Sequence, residues 1–102
     1  MNKFIVAVNN LTIQQESQFI EYLKEKGMGW WHRIDNFWMI STRDTTVTTT
    51  ALRTAITDIS KSTSIVIKIE GGDWAGFGLP EDFEWMEENW NKNNKQRRDD
   101  GR

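Results

Sequence analysis

His32 is the only histidine in the chain, and there is no cysteine. A thiolate nucleophile, a disulfide framework and a zinc ribbon are therefore excluded. A Ser/His/Asp relay would have to run through His32, with a facing nucleophile that the sequence does not identify. A partly exposed histidine on an edge strand is the favoured reading, and no catalytic residue is assigned. The segment Gly71-Gly72-Asp73-Trp74-Ala75-Gly76-Phe77-Gly78 is rich in glycine. It has neither the G-x-G-x-x-G spacing before a helix nor the Lys-Ser/Thr of a P-loop, so it reads as a turn lined with packed aromatics. Trp30, Trp31 and Arg33 combine aromatic faces with a guanidinium, the groups that stack on unpaired bases. No basic patch flanks them, and a role in core or dimer contact is favoured.

Charge gives a second set of candidates. Asp73 to Glu88 carries six acidic residues and no basic one, whereas Asn91 to Arg102 carries five basic and two acidic. The acidic block reads first as a solvated helix face. Framed by Trp85 and Trp90, the carboxylates of Glu84, Glu87 and Glu88 would alternatively make a patch for a basic partner, as in an inhibitor that imitates nucleic acid. The basic tail would reach a phosphate backbone only with steep salt dependence.

Positioning these groups falls to a small set of elements. At 102 residues with a net charge of -2, the chain is expected to be one domain with a single core, and its surface as a whole is not built for nucleic acid. Lys3 to Val8 is an apolar run that reads as a strand buried on both faces, too short for a signal peptide or a membrane span, which makes the cytoplasm the default location. Thr12 and Gln15 fit a capping box, and Ile13, Phe19, Ile20 and Leu23 follow at helical spacing until Gly27, giving a helix of about four turns.

Trp30 to Thr42 holds half of the six tryptophans and reads as a β-hairpin. Its turn is Asp35-Asn36, two residue types that tolerate positive φ. Trp30, His32 and Ile34 share one face of the first strand, Trp31 and Arg33 the other; Phe37 to Thr42 is apolar on both faces and reads as an interior strand. Thr45-Thr46 or Thr48 would cap a second helix carrying Val47, Ala51, Leu52, Ala55, Ile56 and Ile59, more firmly from Ala51 onward because consecutive threonines are poor helix formers. Ile65 to Glu70 reads as a fourth strand, with Ile65, Ile67 and Ile69 toward the core and Lys68 and Glu70 outward.

Strand, helix, strand, strand, helix, strand is the order of an α+β, ferredoxin-like βαββαβ fold, a four-stranded antiparallel sheet with two helices on one face. The first and third strands are expected at the centre. The opposite sheet face then needs a cover, and the aromatic segment 71–90 is the candidate: a glycine-rich turn, Pro80 near a helix start, and Phe83, Met86 and Trp90 along one side of a short helix. It would fold over its own sheet or reach across to a second copy. The domain is thus expected to span 1–90 with this C-terminal extension, followed by a disordered polar tail at 91–102.

The apolar first strand, the helix ending near Gly27, Asn36-Phe37-Trp38-Met39-Ile40-Ser41-Thr42, Ile65-Val66-Ile67-Lys68-Ile69, Trp74-Ala75-Gly76 and Trp85 together resemble the SinR-like proteins. Those are small relatives of the CRISPR-associated spacer-acquisition nuclease and of the VapD toxin. The resemblance covers about residues 3 to 90; it implies a ferredoxin-like fold and a homodimer, and it brings no settled activity with it. The nuclease branch would carry a metal-binding Asp at the end of the first strand, where this chain has Asn9 and Asn10. A neutral amide is a weak ligand for Mg²⁺, so only a different arrangement, drawing on Asp35, Asp44 or Asp73, would restore such a site.

The expected function is therefore a small, non-enzymatic, homodimeric binding protein from a phage or mobile-element context, in defence or anti-defence, with a protein partner favoured over nucleic acid. A metal-dependent nuclease is the alternative. Trp30, Trp31, His32, Arg33, Trp74, Phe77, Glu84, Trp85, Glu87, Glu88 and Trp90 are the expected partner or dimer contacts. No metal or cofactor and no membrane are expected.

Overall fold

The computed structural model describes residues 1–77 and 83–90. The chain divides into two compact units, Met1–Ile69 and a second that begins at Glu70. The expected position of Pro80 and the disordered tail at 91–102 lie outside the described residues.

The first unit runs β1 (Asn2–Val8), α1 (Ile13–Glu25), β2 (Gly29–Ile34), β3 (Phe37–Thr42), α2 (Thr49–Ile59) and β4 (Ser64–Ile69). Its four strands form one sheet in the order β2-β3-β1-β4 with every neighbour antiparallel. This is the ferredoxin-like α+β arrangement, with β1 and β3 central. Their central position follows from composition, because these strands carry most of the sheet's buried side chains: Phe4, Val6 and Val8 on β1 and Trp38 to Thr42 on β3. β1 is less buried than expected, since Ile5 and Ala7 on its second face are only half-buried.

α1 begins where the sequence placed it. Thr12 Oγ1 accepts from Gln15 N–H at 3.1 Å, and Gln15 Oε1 accepts from Thr12 N–H at 2.9 Å, so two otherwise orphaned donors are satisfied reciprocally. The helix ends at a glycine for a backbone reason. Gly27 has φ +71°, Met28 N–H donates to Leu23 O at 2.9 Å and Gly27 N–H to Lys24 O at 3.0 Å. That is the paired bonding of a Schellman motif, which needs a left-handed residue at this point. α2 takes the later of its two possible caps, Thr48 Oγ1 accepting from Ala51 N–H at 3.1 Å. Thr49 and Thr50 then form its first turn, where orphan N–H groups make helix propensity less decisive.

Both helices lie on one sheet face. Phe19 and Leu23 of α1 and Leu52 and Ile56 of α2 pack with Phe4, Val6, Val8, Trp38 and Ile40 into one fully buried cluster. Gln15 ties the two helices together at one end, its Nε2 donating to Ile59 O at 3.3 Å.

Two local expectations are corrected. In the β2–β3 turn only Asn36 is left-handed, at φ +64°; Asp35 is not. In β4 the facing is reversed. The register sets Val66 opposite Val6 and Lys68 opposite Phe4, and directly paired residues share a face. Val66 therefore packs toward α1 and α2, while Ile65, Ile67 and Ile69 point to the face opposite those two helices, where Ile65 is 56% and Ile67 44% exposed. Alternation fixes which residues share a face but not which face is inward; the pairing register decides that.

In the second unit, α3 (Phe83–Asn89) is the expected short helix, closed at its end by Trp90 N–H donating to Met86 O at 2.8 Å. Among the described residues no helix is long and apolar enough to cross a membrane.

Candidate functional site

The hairpin residues separate onto the two sheet faces. Trp30 stands opposite Ile40 on the helix side and is packed partly into the core cluster. Trp31 stands opposite Met39 on the other face. Its indole N–H is buried and meets no acceptor among the described residues. Beyond Trp31 the β2–β3 register shifts, an irregularity spanning Trp31 to Ile34, and Arg33 and Ile34 are exposed there.

His32 is a packed structural histidine. Its ring stacks on Trp38 with centroids 3.8 Å apart and planes 1° from parallel. Nδ1 lies 2.8 Å from Phe37 O, and Nε2 lies 3.3 Å from Glu16 Oε2. The side chain is 15% exposed, against the partly exposed edge position expected. Each ring nitrogen faces an oxygen atom. The group joins β2 to α1, with Phe37 O and the Glu16 carboxylate against its two ring nitrogens.

The candidate carboxylates lie in three different loops. Asp35 sits in the β2–β3 turn, Asp44 follows β3 at the opposite end of that strand, and Asp73 belongs to the second unit. Among the described residues no three His, Cys, Asp or Glu side chains are grouped to hold a metal ion. Asn9 and Asn10, at the end of β1, have backbone roles: Asn9 N–H donates to Thr63 O at 3.1 Å, and Asn10, at φ +54°, donates its N–H to Asn36 Oδ1 at 3.1 Å.

Asp44 organises its own loop. Thr46 Oγ1 donates to Asp44 Oδ1 at 2.5 Å and Thr46 N–H to the same oxygen at 2.9 Å. The Thr46 hydroxyl, and then its backbone N–H, hold the Asp44 carboxyl below its ordinary value. A carboxyl depressed in the folded state stabilises the fold above its unfolded pKa, and that contribution is lost as pH falls through the folded pKa. Thr46→Val should therefore move the Asp44 titration upward in an NMR pH series and reduce the acid-side loss of stability. An unchanged Asp44 titration would remove the hydroxyl as the cause.

In the second unit, Trp74 is half-buried and Phe77 is 98% exposed, against the expectation that the aromatics of this segment are all packed. On α3, Glu84 and Glu88 are exposed, Trp85 is half-buried, and Met86, Glu87 and Trp90 are buried. Glu87 therefore leaves the expected acidic surface, which among the described residues of α3 is Glu84 and Glu88, one turn apart on the same side. Glu81 and Asp82 lie outside the described residues.

One exposed apolar feature of the first unit was not among the expected contacts. It is β4, an edge strand exposing Ile65 and Ile67. Beside it runs a groove of about 240 Å³ lined by Thr49, Thr50 and Arg53 of α2 and by Ser64, Ile65 and Val66. No signal within the strand's own sequence distinguishes it from one that turns its isoleucines to the core; only the pairing with β1 does. No family model, curated protein or solved structure matches the chain.

Proposed function

We propose that the chain is a small homodimeric binding protein of the SinR-like kind its sequence resembles. It works without catalysis, in a phage or mobile-element setting, on a protein partner. The observation that carries this reading is the exposure of Ile65 and Ile67 on an edge strand, because a regular apolar edge left in water invites pairing with another chain. The backbone roles of Asn9 and Asn10 and the double engagement of His32 support a binding role over a chemical one. Arg33, Phe77, Glu84 and Glu88 are the exposed members of the expected contact set.

Multi-angle light scattering across a dilution series tests the assembly. The 12.0 kDa chain should show a mass approaching twice that value at high concentration and falling on dilution; a monomeric mass throughout would overturn the homodimer. In parallel, single- and double-stranded RNA and DNA with Mg²⁺ or Mn²⁺ should remain intact. Cleavage that disappears on substituting Asp35, Asp44 or Asp73 would replace the binding reading with the nuclease one.

A further inference from the structure

We infer that the two copies join edge to edge through β4, antiparallel about a two-fold axis at Val66, extending each four-stranded sheet into one of eight strands. This rests on the homodimer reading above and deepens it by assigning the joint. The argument begins with the direction of the backbone groups. Asn9 N–H donates to Thr63 O, and these two residues continue the β1–β4 register in which Val8 stands opposite Ser64. Hydrogen-bonded and non-hydrogen-bonded pairs alternate along an antiparallel ladder, so Thr63, Ile65, Ile67 and Ile69 turn their N–H and C=O groups toward β1. Ser64, Val66 and Lys68 turn theirs to the outer edge, where no strand among the described residues pairs with them.

Those outward groups are self-complementary. With the axis at Val66, Val66 meets Val66 of the second copy and Ser64 meets Lys68, each pair exchanging both N–H···O bonds. On the face opposite α1 and α2 Ile65 meets Ile67, so the exposed isoleucines of both copies form one covered patch. Lys68, the only charged residue of the strand, lies opposite a serine, and the two copies of it fall at opposite ends of the joint.

The other edge of the sheet lacks these properties. β2 carries a register irregularity between Trp31 and Ile34, and such a break twists an edge out of pairing geometry. β4 pairs in unbroken register with β1 along its whole length and contains neither proline nor glycine. Because the symmetric joint uses one edge from each copy, the assembly closes at two. A strand pair of about 17 Å belongs to the low end of interface sizes, below about 1,200 Å² in total. A dimer that dissociates on dilution is therefore expected.

Sedimentation of the full chain and a cysteine pair test the joint. Ile65→Lys combined with Ile67→Lys sets like charges against each other across the joint and should weaken dimerisation more than tenfold. Both residues are exposed, so circular dichroism and Tm should stay close to wild type. Independently, the chain has no native cysteine, and residues 65 and 67 of opposite copies would have Cα atoms about 4.5 Å apart, within disulfide range. Mixing Ile65→Cys with Ile67→Cys under mild oxidation should give a disulfide-linked dimer several-fold faster than either variant alone. A wild-type chain that stays monomeric up to about 100 µM, a range that admits even a weak transient dimer, would overturn both the homodimer and this joint. A wild-type dimer that survives the double lysine variant, or gives no preferential mixed disulfide, would overturn the β4 joint alone. A mass above two copies would do the same.

Discussion

Trp38→Ala is expected to destabilise the fold by about 3–5 kcal/mol, the largest effect of any single substitution proposed for this chain. Trp38 is 0% exposed and is the bulkiest fully buried side chain. It stands on the central strand β3, opposite Val6 of β1. Phe19 of α1 meets it edge to face at 4.9 Å and 81°, and the His32 ring lies flat against it at 3.8 Å. Truncation therefore opens a cavity shared by β3, α1 and β2, and it removes the surface that holds His32 in place for its contacts with Phe37 O and Glu16. Small domains have a total stability of only about 5–15 kcal/mol, so the variant should lose a large part of it. Its Tm should fall by more than about 10 °C. Guanidinium unfolding followed by circular dichroism is the suitable measurement, since five other tryptophans would complicate fluorescence. A loss below about 1 kcal/mol would mean that the core closes around the gap and that Trp38 is not its organising residue.

Leu52→Ala should cost about 2–5 kcal/mol, while Arg53→Ala, one position along, should stay within about 0.5 kcal/mol. Leu52 is fully buried, and with Ile56 it forms the apolar face of α2. Arg53 is exposed and lines the groove beside β4. The contrast tests whether α2 is held by its apolar face and not by its surface charge. It also bears on β4, because Val66 turns inward to the cluster that Leu52 belongs to, so loosening α2 should raise hydrogen exchange in β4 above that in β1. Equal losses for the two variants would contradict the described orientation of α2.

Much of the fold is legible in the sequence because its determinants are local. Thr12 and Gln15 lie three residues apart and satisfy each other's neighbourhood whatever the rest of the chain does. Gly27 ends α1 because a left-handed residue is needed there. Phe37 to Thr42 is apolar at every position that matters, so it reads as an interior strand without knowledge of its neighbours. These signals fix the order of elements, and the order with right-handed crossovers leaves few topologies.

Three features were set by contacts between residues distant in sequence. The spacing of Ile65, Ile67 and Ile69 shows only that they share a face; their outward direction comes from Val6 standing opposite Val66, sixty positions away in the chain. His32 looks like an available edge histidine until Trp38 covers one face of its ring and Phe37 O and Glu16 take both nitrogens. Glu87 cannot be told from Glu84 and Glu88 by residue type, and only the packing of α3 buries it. The sequence by itself determined the elements, their order and the ferredoxin-like sheet, since propensity, capping and periodicity act within a few residues. Tertiary structure alone decided which side chains remain available for function, because availability depends on cross-strand register and burial, which no local pattern encodes.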